Sequence, residues 1–432
     1  MIHPRHILAA LVLAGTLVMG VSAHALTLAE ALATVDDPHP DLRSAQADLA
    51  AAQADEQAAA ARQDLSVSLE GVLRQGRPTV EPDAWSADNS VRIVARKNLY
   101  DFSRTDLAVG AARAEASARE DALLDTRDQR RLDIMARYFD VLLADQQYAA
   151  DNEFMAVAYV AMDNAHDRVE VGQMSRPDFA VLQAHYQDIR EKRNASLAQQ
   201  RITRALLANA LNHPGVLASD LEDPKLPDNN AKLPDYETLL PWVMTHNHRM
   251  LAQQQLLAAA QQRLAGLRHE TSPSLDAEVV AADYSRSATT RDSVSAGLIL
   301  SWPLYQGGSM DARIGREQAQ FQKLQAGADK LHMQVAQSLL ETLLEIQQLL
   351  NSSRPAAAEQ IKYRDVALDR SRADYELELK TNLGDSMAQT MAAELRARRV
   401  EYRLALALAR LEALAGKPLA DIVALADKQP KG

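Results

Sequence analysis

The feature that most constrains the fold is the stretch from Asp83 to Arg176, which contains no proline and only two glycines. Within it, apolar side chains recur at spacings of three and four residues, the pattern of a helix that packs along another helix. These side chains are Leu132, Met135, Phe139 and Leu142. Most of the stretch, from about Ser103 to Val171, is predicted to form one helix roughly 100 Å long. Such a helix is too long for one compact domain, so the sequence predicts an elongated helical bundle.

The composition narrows the function classes. The chain has 432 residues, a net charge of −11, no cysteine and only 4% aromatic residues. The negative charge argues against electrostatic binding of nucleic acid. The lack of cysteine excludes disulfides, thiolate metal sites and a lipid-modified N-terminal cysteine, and it suits an extracytoplasmic location.

The N-terminal residues have the pattern of a secretory signal. Arg5 and His6 precede an apolar run from Ile7 to Val21, and Ala23-His24-Ala25 follows as a small-x-small cleavage site. Residues 1–25 are therefore predicted to be a signal peptide, with a membrane anchor as the alternative. No later stretch approaches the ~18 apolar residues of a membrane helix, so any later membrane crossing is predicted to use strands.

The predicted elements occur twice in the same order, which indicates two structural repeats. Leu49-Ala50-Ala51-Ala52-Gln53, for example, returns as Leu257-Ala258-Ala259-Ala260-Gln261. The first repeat, 26–213, contains a helix, strands at about 64–74 and 89–100, the long helix at about 103–171 and a helix at about 178–212. A proline-rich linker covers 214–241. The second repeat, 242–418, contains a helix, strands at about 274–284 and 293–303, a long helix at about 309–376 and a helix at about 385–416, followed by a tail, 419–432. Pro355 is predicted to kink or interrupt the second long helix.

The four predicted strands alternate between an apolar and a mostly polar face. Val67 and Leu69, for example, alternate with Ser68 and Glu70. Each strand is about long enough to cross a bilayer when tilted. Four strands leave an open sheet whose edges lipid cannot satisfy, so the edges are predicted to pair with other copies of the chain. Two copies would give eight strands and a bore filled by side chains, whereas three would give twelve strands and a lumen.

Several short motifs, in order along the predicted mature chain, resemble those of the TolC family of outer-membrane efflux and secretion channels. They are Leu26–Leu32 (LTLAEAL), His39–Leu42 (HPDL), Tyr138–Ala144 (YFDVLLA), Val171–Asp178 (VGQMSRPD) and Ser301–Gly308 (SWPLYQGG). The chain departs from the family near the second helical turn, where Gly384 and Met387 stand at positions that resemble those of a common aspartate pair. The second strand likewise leads into Phe102-Ser103 where the family usually has two glycines.

The resemblance implies a mainly α fold with a small β part: four transmembrane strands per chain that complete a 12-stranded trimeric β-barrel, above a long coiled-coil periplasmic tunnel. It implies a homotrimer in outer-membrane lipid of a Gram-negative bacterium, extending into the periplasm. The implied partners are a periplasmic adaptor (membrane fusion) protein and an inner-membrane RND or ABC transporter. The implied role is passive conduction in a tripartite efflux pump or a type I secretion system. No enzymatic activity, cofactor, metal site or nucleic-acid partner is expected. The alternative is a structural coiled-coil protein of the cell surface, without a channel.

The resemblance also implies candidate residues at the periplasmic aperture of the tunnel. Asp178, Tyr375, Lys380 and Asp385 lie where the family's gate would be. Ordinary solvated polar groups near a helix turn are the alternative interpretation, and for Asp178 a carboxylate favoured by the helix dipole.

Other residues have a structural and a functional interpretation as well. The aromatic residues Tyr100, Trp302 and Tyr305 lie at strand ends, where rings prefer the membrane interface, with core packing as the alternative. His246 and His248 are two residues apart at a predicted helix start and should point apart, so no metal site is predicted there. The charged stretches 127–133 and 394–401 are expected to be solvated helix faces, with contact to an adaptor as the alternative.

Overall fold

The protein is represented by a computed structural model, which describes residues 25–77, 85–216, 220–227, 229–230, 232–286, 291–377 and 383–427. The helices are α1 (Leu28–Ala33), α2 (Pro40–Ala60), α3 (Arg104–Glu170), α4 (Arg176–Ala210), α5 (Tyr236–His246), α6 (His248–Arg268), α7 (Ser309–Gln348), α8 (Arg354–Glu376), α9 (Leu383–Ala415) and α10 (Leu419–Asp427). The strands are β1 (Ser66–Val72), β2 (Gln75–Gly76), β3 (Ser86–Ala87), β4 (Ser90–Tyr100), β5 (Ser274–Tyr284) and β6 (Val294–Ser301).

The long helix α3 organises the molecule. It runs for 67 residues without interruption, which corresponds to about 100 Å at the usual rise of an α-helix. Its start is set by Phe102 and Ser103, whose positive φ angles of 54° and 62° turn the chain sharply out of β4. Gly172, with φ of 74°, lies just beyond its end. Along its length α3 packs against α2, α4, α6 and α9, so both repeats are built on it.

The second long helix is interrupted where proline predicts it. After α7, residues 349–353 form a π-helical turn, and α8 begins at Arg354 with Pro355 in its first turn. Proline has no backbone N–H, so it cannot donate the usual hydrogen bond in a helix interior. The wider π turn accommodates that loss, and the interruption predicted at Pro355 is confirmed.

The sheet contains β1, β4, β5 and β6 in that order, and each neighbouring pair is antiparallel. β4 and β5 pair across the two repeats, with Ile93 opposite Ala281 and Arg96 opposite Glu278. This register is shifted between Asn98 and Tyr100. β2 and β3 form a separate two-stranded ribbon. The sheet is open within one chain, because β1 and β6 form its two edges.

The hydrophobic core lies among the helices, away from the sheet, in two clusters. One cluster joins α5, α7, α9 and α10 and includes Leu239, Leu339 and Leu404, each 0% exposed. A second joins α1, α3, α4 and α9, where the rings of Phe139 and Tyr402 stack with centroids 4.5 Å apart. Of the seam predicted on α3, Met135, Phe139 and Leu142 are thus buried, and Leu132 is partly buried.

The linker between the repeats is tied to this core by tyrosine hydroxyls. The Tyr138 hydroxyl lies 2.8 Å from the Leu26 carbonyl oxygen and 2.5 Å from that of Glu222. The Tyr402 hydroxyl donates to Asp223 over 2.7 Å. Burial is the main cause that raises the pKa of Tyr138 to about 12, so this hydroxyl keeps its proton at neutral pH.

Two details differ from the prediction. The irregular linker ends before 241, because α5 begins at Tyr236 and contains Pro241. Burial of Leu239 and Val243, both 0% exposed, outweighs the one backbone hydrogen bond that a proline removes. Residues 419–427, part of the predicted tail, form α10.

In the part of the chain that the structure describes, no helix combines the length and the apolar character needed to cross a membrane.

Candidate functional site: the sheet and the helical hairpin ends

One face of the sheet is polar and its charges pair across strands. Residues that lie opposite each other in the register share a face. Arg92 of β4 lies 2.5 Å from Glu70 of β1, and the Arg96 Nε lies 3.0 Å from Glu278 Oε2 of β5. These pairs form a ladder on one face that the apolar pair Val94–Val280 interrupts between Arg92 and Arg96, and their charges suit contact with water.

A hydrogen bond extends the same ladder. Asn98 Nδ2 donates to Asp276 Oδ1 over 2.9 Å. Among the described strand residues, the charged groups of this face are two arginines and three carboxylates. They leave a net charge of about −1 per chain on the polar face.

The opposite face of the sheet is mostly apolar and exposed, apart from one lysine and one aspartate near the strand ends. Val67 and Leu69 of β1 are 64% and 72% exposed, and Leu298 and Leu300 of β6 are 67% and 68% exposed. Every residue of β1 and of β6 is exposed. A contiguous apolar surface of this kind marks an interface with lipid or with another protein.

The three aromatic residues predicted at a membrane interface are exposed at strand ends. Tyr100 is 56% exposed, Trp302 61% and Tyr305 90%. The Tyr100 ring meets that of Phe102 edge-on, with centroids 4.8 Å apart. None of the three rings is buried among the residues that the structure describes.

Beyond the strand ends, a buried carboxylate holds the connecting segments together. Asp88 is 6% exposed, and its two carboxylate oxygens lie 2.5 Å from Arg74 Nη2 and 2.8 Å from Arg291 Nη1. The three residues come from three separate segments, so sequence analysis missed this cluster. The two arginines lie 14 and 203 positions from Asp88 along the chain, so no local sequence pattern predicts these ion pairs.

Asp178 lies at the first helical hairpin end, in the first turn of α4. Ser175 caps this helix: its Oγ accepts from the Asp178 backbone N–H over 3.2 Å and donates to the Asp178 carboxylate over 2.6 Å. The structural interpretation of Asp178, a carboxylate at a helix N-terminus, therefore holds here. It does not conflict with a second role, since the residue is exposed.

Asp385 lies at the second hairpin end, in the first turn of α9. Its carboxylate accepts from Gln389 Nε2 over 2.6 Å, and Gln389 Oε1 accepts in turn from Arg364 of α8. Tyr375, at the end of α8, is 54% exposed. Lys380, the fourth predicted gate residue, lies outside the described residues.

The structure does not bring the gate candidates together within one chain. Among the described residues, no hydrogen bond or ion pair joins Asp178, Tyr375 and Asp385 to one another. Sequence analysis did not anticipate the network of Arg364 and Gln389 that holds Asp385. Glutamine and arginine 25 positions apart in a helical hairpin give no motif.

Gly384 lies close to the long helix α3. A Cβ atom at this position would lie 2.9 Å from Val157 Cγ2 of α3. Nearby, the hydroxyls of Ser371 and Ser386 are 2.6 Å apart and join α8 to α9. The start of α9 therefore packs closely on α3, and a larger side chain at 384 would require the Val157 side chain to move.

A row of carboxylates on α3 faces the start of α6. Asp121 Oδ1 lies 3.8 Å from His248 Nδ1, and Asp128 Oδ2 lies 4.0 Å from His248 Nε2. Burial raises the pKa values of Asp121, Asp125 and Asp128. His246 is separate from this row, because its ring stacks on Trp242 at 3.9 Å.

The stretches predicted to be solvated helix faces are partly engaged inside the chain, which corrects that expectation. Arg130 is 5% exposed and its guanidinium donates to the carbonyl oxygens of Val35 and Thr34. In the second stretch, Glu401 accepts from Arg354 over 2.7 Å. Long side chains of this type fasten neighbouring elements as well as facing water.

No protein-family model matches the sequence, and no curated protein is significantly similar to it. Solved structures are similar to it in fold. The outer membrane protein VceC of Vibrio cholerae has a TM-score of 0.73 at 16% identity, over 90% of this chain and 96% of that one. The CmeC outer membrane channel of Campylobacter jejuni has a TM-score of 0.73 at 10% identity, over 90% and 85%. The open state of the MtrE outer membrane channel of Neisseria gonorrhoeae has a TM-score of 0.67 at 16% identity, over 91% and 89%. The chain thus has the fold of these outer membrane channels, which confirms the TolC-like fold expected from the sequence.

Proposed function

We propose that the protein is an outer-membrane channel whose strands line a water-filled pore and whose long helices continue that pore into the periplasm. One observation carries this proposal: an open four-stranded sheet with an exposed apolar face on one side and a paired ladder of charges on the other. Lipid suits the first face and water the second. CmeC and MtrE, which have a similar fold, are described as outer membrane channels, and VceC as an outer membrane protein.

Three copies of the chain form the channel in this proposal. One chain contributes four strands with two unpaired edges, which only other copies can satisfy in a bilayer. Eight strands enclose a bore that side chains fill, whereas twelve leave room for a lumen. A lumen is required here because the ladder of Arg92, Arg96 and their carboxylate partners needs water on its open side.

The helical body supports the periplasmic part of the proposal. α3 alone spans about 100 Å, and its uninterrupted course suits a tunnel wall better than a compact domain. The energy for transport comes from other components, a periplasmic adaptor and an inner-membrane RND or ABC transporter, in a tripartite efflux pump or a type I secretion system. Residues 1–25 direct export in this proposal, and 26–213 and 242–418 act as two repeats of one wall.

Particular residues have roles within this proposal. Tyr100, Trp302 and Tyr305 anchor the strands at the membrane interface, since all three are exposed at strand ends. Asp178, Tyr375, Lys380 and Asp385 line or close the periplasmic aperture. Exposure of the first two at hairpin ends supports this assignment. No step of this function forms or breaks a covalent bond in a substrate.

The experiment that tests the proposal is the electrical conductance of the purified protein in planar lipid bilayers. We expect discrete, long-lived steps of current and a purified oligomer of three chains in detergent. Protein that is monomeric and soluble without detergent, and that causes no current, would contradict the proposal and favour a structural coiled-coil protein.

A further inference from the structure

The last turn of α3 carries three side chains whose ligand atoms converge. His166 Nδ1 lies 3.8 Å from Glu170 Oε1. With one carboxylate oxygen of Asp167, these atoms all lie within 4.8 Å of one another. In the part of the chain that the structure describes, this is the one group of three such side chains that meets that geometry. All three side chains are exposed, so an ion from solution can reach them.

The imidazole is positioned by a neighbouring helix as well as by its own. The ring of His166 packs edge-on against the ring of Phe179 of α4, with centroids 5.6 Å apart. His166 and Glu170 are four residues apart and therefore share one face of α3. Ring packing fixes the side of the imidazole that faces Glu170, which reduces the ordering cost of binding an ion.

The local charge also favours a cation. The sequence from Asp163 to Glu170 holds three carboxylates and one arginine, Arg168. The helix ends at Glu170, and the chain turns at Gly172 with φ of 74°. Carbonyl groups at a helix C-terminus carry the negative end of the helix dipole. Side-chain charges and the dipole thus act in the same direction at this site.

We propose that His166, Asp167 and Glu170 form a binding site for a divalent transition-metal ion, with Zn²⁺ as the favoured ion. Zinc accepts one imidazole nitrogen and carboxylate oxygens, and three protein ligands leave a fourth position for water. The hard cations Ca²⁺ and Mg²⁺ prefer six or more oxygen ligands, which this site does not supply. The site lies in the last turn of α3, beside the hairpin end that leads into α4, and all three ligands come from α3.

This inference does not depend on channel activity, so the two can fail separately. Metal binding is measured on the full chain in detergent, without an affinity tag, by isothermal titration with ZnCl₂. We expect one Zn²⁺ per chain at this site. His166→Ala should weaken binding at least about tenfold, because it removes the only nitrogen ligand. Glu170→Gln should weaken it as well, since a neutral amide is a poor ligand for zinc.

Two further variants separate a metal site from a structural effect. Glu170→His places two imidazoles four residues apart on one helix face and should tighten Zn²⁺ binding about tenfold or more. His185→Ala removes an exposed histidine of α4 that belongs to no such group among the described residues, and it should leave the affinity unchanged. Circular dichroism at 222 nm checks that each variant keeps its helices.

Three results would overturn the inference. They are the absence of Zn²⁺ binding in the parent protein, equal affinities of the parent and His166→Ala, and an equal loss in His185→Ala. A failure of Glu170→His to tighten binding would likewise exclude this pair of positions as ligands.

Discussion

Apolar side chains are buried among the helices, which we call the helical body, but are exposed on the sheet. In the body, side chains such as Leu339 and Leu404 are 0% exposed, and the packing partners of each lie in the same chain. In the sheet, apolar side chains such as Leu69 and Leu298 are 72% and 67% exposed, although they repeat as regularly. Regularly spaced apolar residues thus form a buried core among the helices and an exposed surface on the sheet.

The difference shows which region depends on its surroundings. Burying apolar surface away from water stabilises the folded state by roughly 25 cal/mol per Å². Within one chain, only the helical body buries its apolar side chains in this way. In the proposed channel, the sheet gains this energy when lipid covers the apolar face and other copies cover the edges β1 and β6. The body should therefore tolerate loss of the membrane, whereas the sheet should not.

Truncating the same residue type in each region tests this contrast most strongly. Leu339→Ala should lower the stability of the detergent-solubilised protein by about 2–5 kcal/mol, because it leaves a cavity in a closed core. Leu300→Ala, at a side chain that is 68% exposed, should cost less than about 1 kcal/mol. Denaturation midpoints followed by circular dichroism check both. Equal losses of stability at the two positions would contradict the difference between the helical body and the sheet.

A charge placed on each face of the sheet tests which face meets lipid. Leu298→Arg should destabilise insertion by about 2–4 kcal/mol if this residue lies near the bilayer midplane. Ser295→Arg, on the opposite face of the same strand, should insert normally because that face meets water. The yield of folded protein in outer-membrane fractions measures the effect. A similar loss for both arginines would show that neither face is lipid-specific.

A change to the polar ladder sharpens the contrast between the faces in the working channel. Glu278→Gln removes the partner of Arg96 and brings the net charge of the described polar face from about −1 to zero per chain. The reversal potential across a salt gradient should therefore shift toward anion permeation. Asp283→Asn, on the other face of β5, should leave it unchanged. Identical shifts in both variants would contradict the assignment of the faces.

A half-buried carboxylate among the helices gives the smallest expected effect. Burial raises the pKa of Asp125, so the folded protein binds the proton of this group more tightly than the unfolded chain. The sign follows: the ionised carboxylate lowers stability, and stability falls as pH rises from the unfolded value through the raised one.

Asp125→Asn should accordingly raise the thermal midpoint at pH 7, and this gain should shrink as the pH falls toward 4. The exposed Asp188 of α4 offers the matched control, since Asp188→Asn should change the midpoint at neither pH. A gain for Asp125→Asn that is independent of pH would contradict the role of burial.

The helices and strands could be predicted from the sequence because each depends on residues that are close along the chain. The alternation at Val67 and Leu69 predicts a strand, and spacings of three and four around Phe139 predict a helix seam. Pro355 predicts the interruption that appears as a π-helical turn. These features depend on local geometry and on single side chains.

The features that could not be predicted from the sequence depend on residues that are far apart along the chain. The register of Arg96 against Glu278 joins positions 182 apart, and nothing local specifies it. The burial of Asp88 between Arg74 and Arg291 follows from the packing of three separate segments. Pro241 lies inside α5 because tertiary burial outweighs a local preference.

The central claim is that β1 of one copy pairs with β6 of the next until the barrel closes. The chain has no cysteine, so paired cysteines can report this contact directly. Val67→Cys on β1 is combined in turn with Ala296→Cys, Leu298→Cys or Leu300→Cys on β6, and each membrane-embedded variant is oxidised. Disulfides require Cα atoms about 4.4–6.8 Å apart, so only a pair in register should form one.

We predict that one of these combinations gives covalent products of two and three chains and none larger, whereas Val67→Cys alone gives no trimer. A series that ends at two chains, one that continues past three, or no cross-link in any register would contradict the account.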